Sequence, residues 1–379
     1  MRILYILNSS VMGGATISFL NLVLNLDRKV VTPIVVIPQD KKSKSRLEGI
    51  LQNNNIEYHS IALTSSILKA FRLKDTLLWV AKYLLLPFRL LNSYIQLKRV
   101  ILLVRPDIIH TNVGVVHVGY HLARKYGIPH VWHLREYQTK DFNWYIYPSY
   151  GVFCSYLKNS YVITITEAIQ RYFKLEGSPK ALTIYNGIFR REEIVRSTQK
   201  ENYFLMASRV SPEKGHSDAI KAFSHFSRKN EYRLVIAGFD VGGYKSKLKD
   251  VAVEYQCDDR IDFLDFQNDV KPLMSKAKAL IVASYNEGFG RMTAEAAFCS
   301  TIVIGRNTAG TKEILLKTGG LFFNTVDEMT TQMETVSTMD ETEYSIMAQR
   351  AQDVAKSRFS VENNVEKTFD LYRRILQDG

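Results

Sequence analysis

The sequence predicts an α/β protein with two doubly wound domains. Its 379 residues are more than one ordinary hydrophobic core needs and enough for two domains. Short apolar runs suited to buried parallel strands alternate with stretches of helical spacing, which is the pattern of a doubly wound sheet. A hydrophobic content of 46% and a charged content of 23% are typical of a globular protein.

The predicted elements follow one another in two series, each of strands with helices between them. In the first domain the strands begin at residues 2, 32, 56, 106, 130, 161 and 181, and in the second at residues 203, 233, 261, 279, 301 and 320. The segment 190–199 is charged and lacks an apolar stripe, which is typical of a linker. We therefore predict a first domain at 1–196, a second at 197–360, and a last helix at 361–379 that crosses back onto the first domain.

The composition limits the kinds of binding partner and the cellular compartment that we expect for this protein. A formal charge of +12 favours an anionic partner, which is a phosphate-rich ligand, a membrane surface or a nucleic acid. The cysteines are odd in number and widely spaced without metal-type pairing, so we expect reduced thiols in the cytoplasm. The first residues enter a strand directly, without an apolar region that ends in a cleavage site, so we expect no secretion signal.

The stretch from Ser284 to Glu313 has the strongest functional pattern. An apolar strand ends at Ala283, a loop with two glycines follows, and a helix is predicted from Arg291. A ligand at this point meets unpaired N–H groups at a helix N-terminus. Glu287 before the loop and Glu295 in the helix can both reach the crevice at the carboxyl end of the strand.

A second loop pattern follows the first strand of the second domain. Arg209 and Lys214 lie in Ser-Arg-Val-Ser-Pro-Glu-Lys-Gly, where Pro212 and Gly215 shape a loop instead of continued strand. Two loop cations are often only surface charge. In this loop they can converge on a single anionic ligand.

In the first domain, two features mark the carboxyl ends of strands. Gly13 and Gly14 form a turn between the first strand and a helix, which lets the backbone approach a ligand closely but lacks the dinucleotide-binding spacing. His133 ends another strand, where an inert structural histidine is the ordinary interpretation. Arg135 and Glu136 are further candidates, for contacts to an acceptor.

These segments together resemble the retaining glycosyltransferases of family 4 (glycosyl transferases group 1), which have the GT-B fold of two Rossmann-like domains facing a cleft. The resemblance lies in Glu287-Gly-Phe-Gly with Glu295-Ala, where seven residues separate the two glutamates. It also lies in Arg209 with Lys214-Gly, in Gly13-Gly-Ala, and in the segment around His133. One departure is Ala309, which takes the first place of a common Gly-Gly pair and is conservative in size.

The resemblance implies a role for each candidate residue. Arg209 and Lys214 clamp the donor diphosphate, Glu295 holds the ribose, and His133 contacts the donor sugar. Gly13 and Gly14 belong to the donor site across the cleft from the phosphates and near the acceptor. The donor sugar's hydroxyls are held by a set of residues in one loop: Glu287, Gly288, Phe289 and Gly290.

The resemblance also implies the reaction. It is metal-independent hexosyl transfer from a nucleotide sugar to a glycan acceptor, in bacterial-type surface polysaccharide synthesis. The donor phosphate oxygen itself takes the acceptor proton on the same face, so no dedicated base is needed. The sequence has no Asp-x-Asp motif. Because Arg209 and Lys214 supply positive charge, we expect no catalytic metal and no cofactor.

The segment from Ser65 to Arg105 predicts contact with an anionic membrane. It contains eight basic residues but a single acid, Asp75, and a run of Leu, Trp, Tyr and Phe side chains lies between the basic residues. The apolar run is too short and too interrupted to span a bilayer, so we expect part of it in the core and part on the membrane surface. A lipid-linked acceptor would explain such a patch on a peripheral protein at the inner face of the cell membrane.

Three other functions stay open at this point. A sugar-nucleotide epimerase of the same fold would act on the donor without an acceptor. A non-catalytic partner subunit is expected to lose one of the two loop cations or two acids, and all four are present. A nucleic-acid-binding protein would suit the net charge, but no nucleic-acid-binding module is recognisable, and we expect no nucleic-acid partner.

Overall fold

The computed structural model of the protein describes residues 1–39, 45–69, 76–139, 144–195, 197 and 199–377. The chain forms two compact units, Met1–Gly187 together with Val361–Gly379, and Ile188–Ser360. The main sheet of each unit consists of parallel strands connected by helices. The predicted α/β class with two doubly wound domains is therefore confirmed.

The first unit contains a parallel sheet and a separate pair of strands. Its strands are β1 (Arg2–Ile6), β2 (Thr32–Pro38), β3 (Glu57–Ile61), β4 (Ile67–Lys69), β5 (Ile108–Thr111), β6 (His130–Leu134), β7 (Trp144–Ile146), β8 (Tyr161–Thr164) and β9 (Ala181–Thr183). Seven of them form the sheet in the order β3-β2-β1-β5-β6-β8-β9, and β4 pairs with β7. Strands β5 and β6 are buried along their whole length, because helices cover both faces of the sheet.

The helices of the first unit lie mostly between successive strands. They are α1 (Gly14–Val23), α2 (Arg46–Asn53), α3 (Thr76–Val104), α4 (Val118–Tyr126), α5 (Tyr150–Lys158) and α6 (Glu167–Tyr172). The strand order reverses between β1 and β5. In doubly wound sheets, ligands bind at the carboxyl ends of the strands beside such a switch point.

The second unit has a sheet of six parallel strands. They are β10 (Glu201–Ala207), β11 (Arg233–Ala237), β12 (Ile261–Leu264), β13 (Ala277–Val282), β14 (Val303–Arg306) and β15 (Leu321–Phe323), in the order β12-β11-β10-β13-β14-β15. Its helices are α7 (His216–Ser227), α8 (Tyr244–Glu254), α9 (Lys271–Lys276), α10 (Arg291–Phe298), α11 (Ala309–Thr318), α12 (Val326–Thr338) and α13 (Glu341–Arg358). Here the order reverses between β10 and β13.

The last helix, α14 (Val361–Gln377), belongs to the first unit. Leu371, Tyr372 and Ile375 are buried in the same core as Phe19 of α1. The residues 188–195, which the sequence places in the first domain, pack on the second unit instead. Their backbone donates to Phe359 O and Phe298 O, so the first unit ends at Gly187 and not near Ser197.

Helix α3 has 29 residues and two different faces. Leu97, Ile101 and Val104 are buried in the core of the first unit, whereas Leu77 and Phe88 are 87% and 71% exposed. No helix of the described chain has both the length and the apolar content that crossing a bilayer requires. Arg72, Lys74 and Asp75 of the predicted basic segment lie outside the described residues, as does the side chain of Lys69.

Two neighbouring residues at the start of α11 have unusual backbone requirements. A Cβ on Gly310 would lie 2.7 Å from the backbone carbon of Phe289, so only glycine fits there. Ala309 has a φ of 46°, in the left-handed region that costs an alanine about 1 kcal/mol or more. The departure from Gly-Gly is therefore a matter of backbone conformation, not of side-chain size.

We predict that Ala309→Gly raises the free energy of unfolding of the second unit by about 0.5–1 kcal/mol, because glycine adopts the left-handed conformation without strain. Hydrogen exchange in peptides of β13 and β14 measures this quantity for the second unit alone. Lys312→Gly is the control, because Lys312 is an exposed, ordinary position of the same helix. It should lower the free energy by up to about 1 kcal/mol. A loss of protection in Ala309→Gly would contradict the prediction.

Candidate functional site

The loop after β10 lies against the end of β13. A short 3₁₀ turn, Pro212–Lys214, is followed by Gly215 with a φ of 71°. A Cβ on Gly215 would lie 2.2 Å from the carbonyl oxygen of Ala283, so glycine alone allows this approach. The backbone N–H of Tyr285 donates to Glu213 O at 3.1 Å. The loops that follow the two switch-point strands are thereby joined.

This approach brings two predicted site residues together. The Nζ of Lys214 lies 2.6 Å from Glu287 Oε1, and the two side chains are 15% and 22% exposed. An ion pair this short and this sheltered holds the ammonium group at one position. The site of the second unit therefore contains a preplaced cation and a carboxylate at the switch point between β10 and β13.

Arg209 is placed differently from Lys214. Its side chain is 60% exposed, and its nearest acid is Glu213, with Nη2 3.7 Å from Oε1. The structure thus directs Lys214 to Glu287 and leaves the guanidinium of Arg209 at the surface. A long exposed arginine next to a fixed lysine can rotate toward an anionic ligand without breaking a buried contact.

The loop between Glu287 and α10 is held by backbone contacts. Gly290 caps the helix with a φ of 79°, and Phe289 is buried with its ring centroid 5.9 Å from that of Phe359. The N–H of Gly310 donates to Glu287 O at 2.8 Å. The loop therefore has a fixed conformation, and it precedes a helix N-terminus that presents backbone donors.

Glu295 lies inside the second unit, in the second turn of α10. It is 6% exposed, and its Oε1 accepts a hydrogen bond from Arg291 Nε at 2.6 Å. Burial raises the pKa of Glu295, against the attraction of the Arg291 charge. Arg291 is not among the site residues predicted from the sequence, although its spacing of four residues from Glu295 on a predicted helix is a usable signal for such a pair.

A second charged network supports the segment between β13 and Glu287. Arg306 Nη2 donates to Asp218 Oδ2 at 2.6 Å, and the hydroxyl of Tyr285 donates to the same oxygen at 3.0 Å. The guanidinium carbon of Arg306 lies 4.6 Å from the centre of the Tyr285 ring, and Nε donates to Ala283 O. Sequence analysis missed this network, because its three side chains come from separate elements and no spacing connects them.

In the first unit, the turn after β1 shows no structural need for glycine. Gly13 has a φ of −114°, which any residue adopts. A Cβ on Gly13 or on Gly14 would meet no atom of the described chain within 4 Å. Neither local conformation nor packing within the described residues explains the pair.

His133 is the fourth residue of β6 and is fully buried. Its Nδ1 lies 3.2 Å from His110 Nε2 and 3.4 Å from Arg135 Nη2. His110 Nδ1 lies 2.6 Å from the hydroxyl of Tyr372 on α14. Burial lowers the pKa of both histidines well below the usual value, so both are neutral at pH 7.

Arg135, a predicted acceptor contact, is bound inside the first unit. It is 7% exposed, its Nε donates to Asn112 Oδ1 at 3.0 Å, and its Nη1 donates to Asn186 Oδ1 at 2.5 Å. These bonds clamp the guanidinium next to His133. In the described part of the chain, no three His, Cys, Asp or Glu side chains are grouped so that they could hold a metal ion.

The chain is similar to known glycosyltransferases in sequence and in fold. Residues 189–353 match the family model of the glycosyl transferases group 1. The chain is similar to the O-antigen chain mannosyltransferase RfbU of Salmonella typhimurium, with 31% identity over 171 residues, which are 45% of this chain and 47% of RfbU. The match thus spans about half the length of that relative.

Solved structures extend the likeness to the whole chain. Alr3699/HepE of Anabaena, solved in complex with UDP, superimposes with a TM-score of 0.78 at 19% identity, over 99% of this chain and 100% of that one. The apo form of the lipopolysaccharide outer core galactosyltransferase WaaB gives a TM-score of 0.71 at 15% identity, over 99% of each chain. At such identities the likeness shows a shared fold. The chain therefore has the GT-B fold, and its residues 189–353 match the glycosyl transferases group 1 family.

Proposed function

We propose that the protein transfers a sugar from a nucleotide-sugar donor to a glycan acceptor, with retention of anomeric configuration. The observation that carries the proposal is the pair of Lys214 and Glu287 at the switch point of the second unit. It places a cation for phosphate beside a carboxylate for hydroxyl groups. The family match of residues 189–353 supports the same activity.

The second unit is the donor-binding half of this proposal. Lys214 and the exposed Arg209 bind the diphosphate of the donor, and Glu295 binds its ribose. Glu287 and the loop Gly288, Phe289 and Gly290 take the sugar hydroxyls. When the glycosidic bond breaks, the departing diphosphate gains charge, and a cation already fixed in position stabilises it without reorganisation. UDP-sugars are the first candidates, because HepE was solved with UDP.

Retention and metal independence belong to the same proposal. A donor phosphate oxygen on the face where the acceptor enters can take the acceptor proton, so the residues of this site need to supply no general base. Lys214 and Arg209 supply the positive charge with which a metal ion would otherwise neutralise the diphosphate. No cofactor is required, since the nucleotide sugar is itself a substrate.

The first unit contributes Gly13, Gly14 and His133 to the proposed reaction. Glycine is not required at the turn by conformation or by described neighbours. Close approach of a ligand to the backbone is a physical reason for a glycine pair in such a position. Because His133 is neutral, it can form a hydrogen bond to a sugar hydroxyl without placing a second charge near the reacting bond.

We propose a lipid-linked glycan as acceptor, in surface polysaccharide synthesis at the cytoplasmic face of a membrane. Similarity to an O-antigen chain mannosyltransferase and the fold shared with a lipopolysaccharide galactosyltransferase support this acceptor class. A protein that uses such an acceptor must meet the membrane surface, and helix α3 offers a suitable face.

The outer face of α3 is apolar along most of its length. Six exposed apolar residues follow one another at spacings of three, four or seven, which places them on one face of the helix. This stripe consists of Leu77, Leu84, Phe88, Leu91, Ile95 and Leu102. This face points away from the buried side that carries Leu97, Ile101 and Val104. An exposed apolar stripe of this size marks an interaction surface.

Basic residues border the stripe. At about 100° per residue, the exposed Leu78 and Leu85 widen the stripe on one side, and Lys82 and Arg89 lie beyond them. Lys98 lies along the other border, and Arg99 lies near the end of the stripe. From Thr76 to Arg105 the chain contains no Asp or Glu. An apolar face bordered by cations alone is the pattern of a helix that lies in the interface of an anionic membrane.

The central prediction is that Lys214→Met lowers the rate of nucleoside diphosphate release from the donor sugar by about 10²–10³, because one preorganised electrostatic contact to the leaving group is lost. The measurement is UDP or GDP release from a panel of nucleotide sugars, with and without lipid-linked saccharide acceptors. Lys276→Met is the control, since Lys276 forms an exposed ion pair with Glu201 in the same unit. Acceptor-independent donor conversion would favour the epimerase, and normal turnover in Lys214→Met would contradict the proposed site.

Substitutions of Glu287 and of Glu295 should have different effects on the affinity for a free nucleotide. Glu295→Gln should weaken binding of free UDP or GDP by about tenfold, because a charge-assisted bond to the ribose is lost. Glu287→Gln should leave this binding nearly unchanged, since free UDP or GDP lacks the transferred sugar and the glutamine Oε1 can still accept a hydrogen bond from Lys214 Nζ. Calorimetry on both variants decides, after thermal unfolding has shown that Glu295→Gln is folded. Equal losses in both variants would refute this division of roles.

Membrane binding should depend on α3. We expect the protein to sediment with vesicles that contain anionic lipid, less so at high salt, because each basic residue near such a surface contributes about 1 kcal/mol. Changing Lys82, Arg89 and Arg99 to Glu, or Leu84, Phe88 and Leu91 to Ser, should each reduce binding at least tenfold.

The control for membrane binding is Leu316→Ser with Ile346→Ser, which removes two equally exposed apolar side chains from the second unit. This variant should bind vesicles like the unchanged protein. Equal binding to neutral and anionic vesicles, or none to either, would overturn the membrane proposal and leave a soluble acceptor.

A further inference from the structure

The second unit has a cavity at the amino ends of its strands, opposite the edge that carries Lys214 and Glu287. Lys200 directly precedes β10, and Lys278 is the second residue of β13. The cavity has a volume of about 390 Å³, in the size range of sites for small molecules. The residues of β10 place it roughly 20 Å from the loop that carries Lys214. It is therefore separate from the proposed donor site.

Two lysine ammonium groups lie over one aromatic ring in this cavity. The distance from Nζ to the centre of the Tyr344 ring is 5.4 Å for Lys200 and 5.3 Å for Lys278. The ring is held in place, because the hydroxyl of Tyr344 donates to Lys278 O and accepts from the N–H of Ile302. The electron-rich ring attracts both cations, so it brings two like charges into the same cavity.

This arrangement costs free energy in the absence of a negative charge. Burial and, to a smaller degree, the like charge of Lys278 lower the pKa of Lys200 to about 8, and burial lowers the pKa of Lys278. The one acid among the described residues of the lining, Glu341, attracts Lys278 but is itself exposed to solvent. Apolar side chains would cover the ring without this repulsion. The two charges therefore indicate an anionic ligand.

Both ammonium groups have hydrogen-bond donors left for a ligand. Lys200 Nζ donates to Ser275 O at 2.6 Å and to Thr301 Oγ1 at 3.1 Å, which uses two of its three N–H groups. Lys278 Nζ has no hydrogen-bond partner in the described part of the chain. An anion in the cavity can therefore accept hydrogen bonds from both lysines.

Most other side chains of the cavity carry hydroxyl or amide groups. Ser300 Oγ accepts from Gln352 Nε2 at 2.8 Å, so its own hydrogen remains for a ligand. Asn202 and Ser345 also line the cavity, and Ala348 is the one aliphatic residue among the described residues of the lining. Such a lining suits a ligand with hydroxyl groups and not an apolar one.

We propose that this cavity binds a small phosphorylated molecule with hydroxyl groups, such as a hexose phosphate, whose phosphate group contacts Lys200 and Lys278. At pH 7 a phosphate monoester carries about two negative charges and three acceptor oxygens, which match two ammonium groups. A carboxylate carries a single charge and leaves one ammonium group without a counter-charge. The site goes beyond the proposed function and does not depend on it.

The test is protection of individual lysines from acetylation at pH 8, read by mass spectrometry on the full chain. Lys200 is reactive there, since its pKa of about 8 leaves much of the amine neutral. A bound phosphate covers the amine and favours its protonated form. From a panel of hexose phosphates, we expect protection of Lys200 and Lys278 at concentrations about tenfold below those of inorganic phosphate, because the hydroxyl groups add hydrogen bonds. Unphosphorylated hexoses and gluconate should not protect, and the exposed Lys276 should react equally in all cases.

Two variants should change the affinity for the hexose phosphate in opposite directions. Calorimetry is done in a Lys214→Met background, which impairs the proposed donor site. Lys278→Met should weaken binding at least about tenfold, because a charge-assisted contact is lost. Glu341→Gln should tighten it about two- to fivefold, since an exposed charge that repels the phosphate is removed. Lys276→Met is the control and should bind normally, because Lys276 pairs with Glu201 outside the cavity.

Equal affinity in folded Lys278→Met and its parent, or no protection of Lys200 and Lys278 by any hexose phosphate, would overturn the proposal. Equal protection by gluconate or by inorganic phosphate would overturn the assignment to a phosphorylated sugar. If thermal unfolding shows that Lys278→Met is not folded, Glu341→Gln and the protection experiment decide. Sugar transfer enters none of these measurements, so this proposal and the proposed function can fail independently.

Discussion

The ion pair of Lys214 and Glu287 is the interaction on which the site of the second unit depends. It forms because Gly215 lets the loop after β10 lie against the end of β13, where any side chain would collide with Ala283. An ion pair at this depth contributes little to stability by itself. Its consequence is positional, since it fixes a cation at the place that we propose for the leaving diphosphate.

In the first unit, the side chains around His133 are held in place by hydrogen bonds. Around His133 the side chains are buried and mostly neutral, because an imidazolium without solvent or a counter-charge is unstable there. The one permanent charge, Arg135, is surrounded by the amide oxygens of Asn112 and Asn186, which stabilise it without a carboxylate. An ion pair therefore positions groups in the second unit, and hydrogen bonds to amide oxygens do so in the first.

Helix α3 shows how one element meets two environments. Its inner residues complete the core of the first unit, while its outer stripe remains apolar although it faces solvent. Folding alone does not account for Leu77, Phe88 and Leu91 at such exposed positions, since polar residues there would leave the core unchanged. An anionic membrane surface, which we propose as the partner of α3, would satisfy both the apolar stripe and the basic residues beside it.

Local pattern alone determined much of this protein. The apolar runs predicted all the strands of the two main sheets, and the glycines and prolines placed Lys214 and Glu287 on loops at strand ends. Such features depend on residues close together in the chain, which is why periodicity detects them. The pair of strands β4 and β7 was not predicted, because strands of three residues are too short to show an alternation of apolar and polar residues.

Only the tertiary structure decided which side chains meet. It paired Lys214 with Glu287 and left Arg209 exposed, and it gave Ala309 a left-handed backbone that its size did not suggest. It also placed Tyr372 against His110, 262 residues away in sequence. These contacts depend on which strands are neighbours and on loop conformations fixed by packing to within an ångström, and neither quantity is encoded in the spacing of residues along one chain segment.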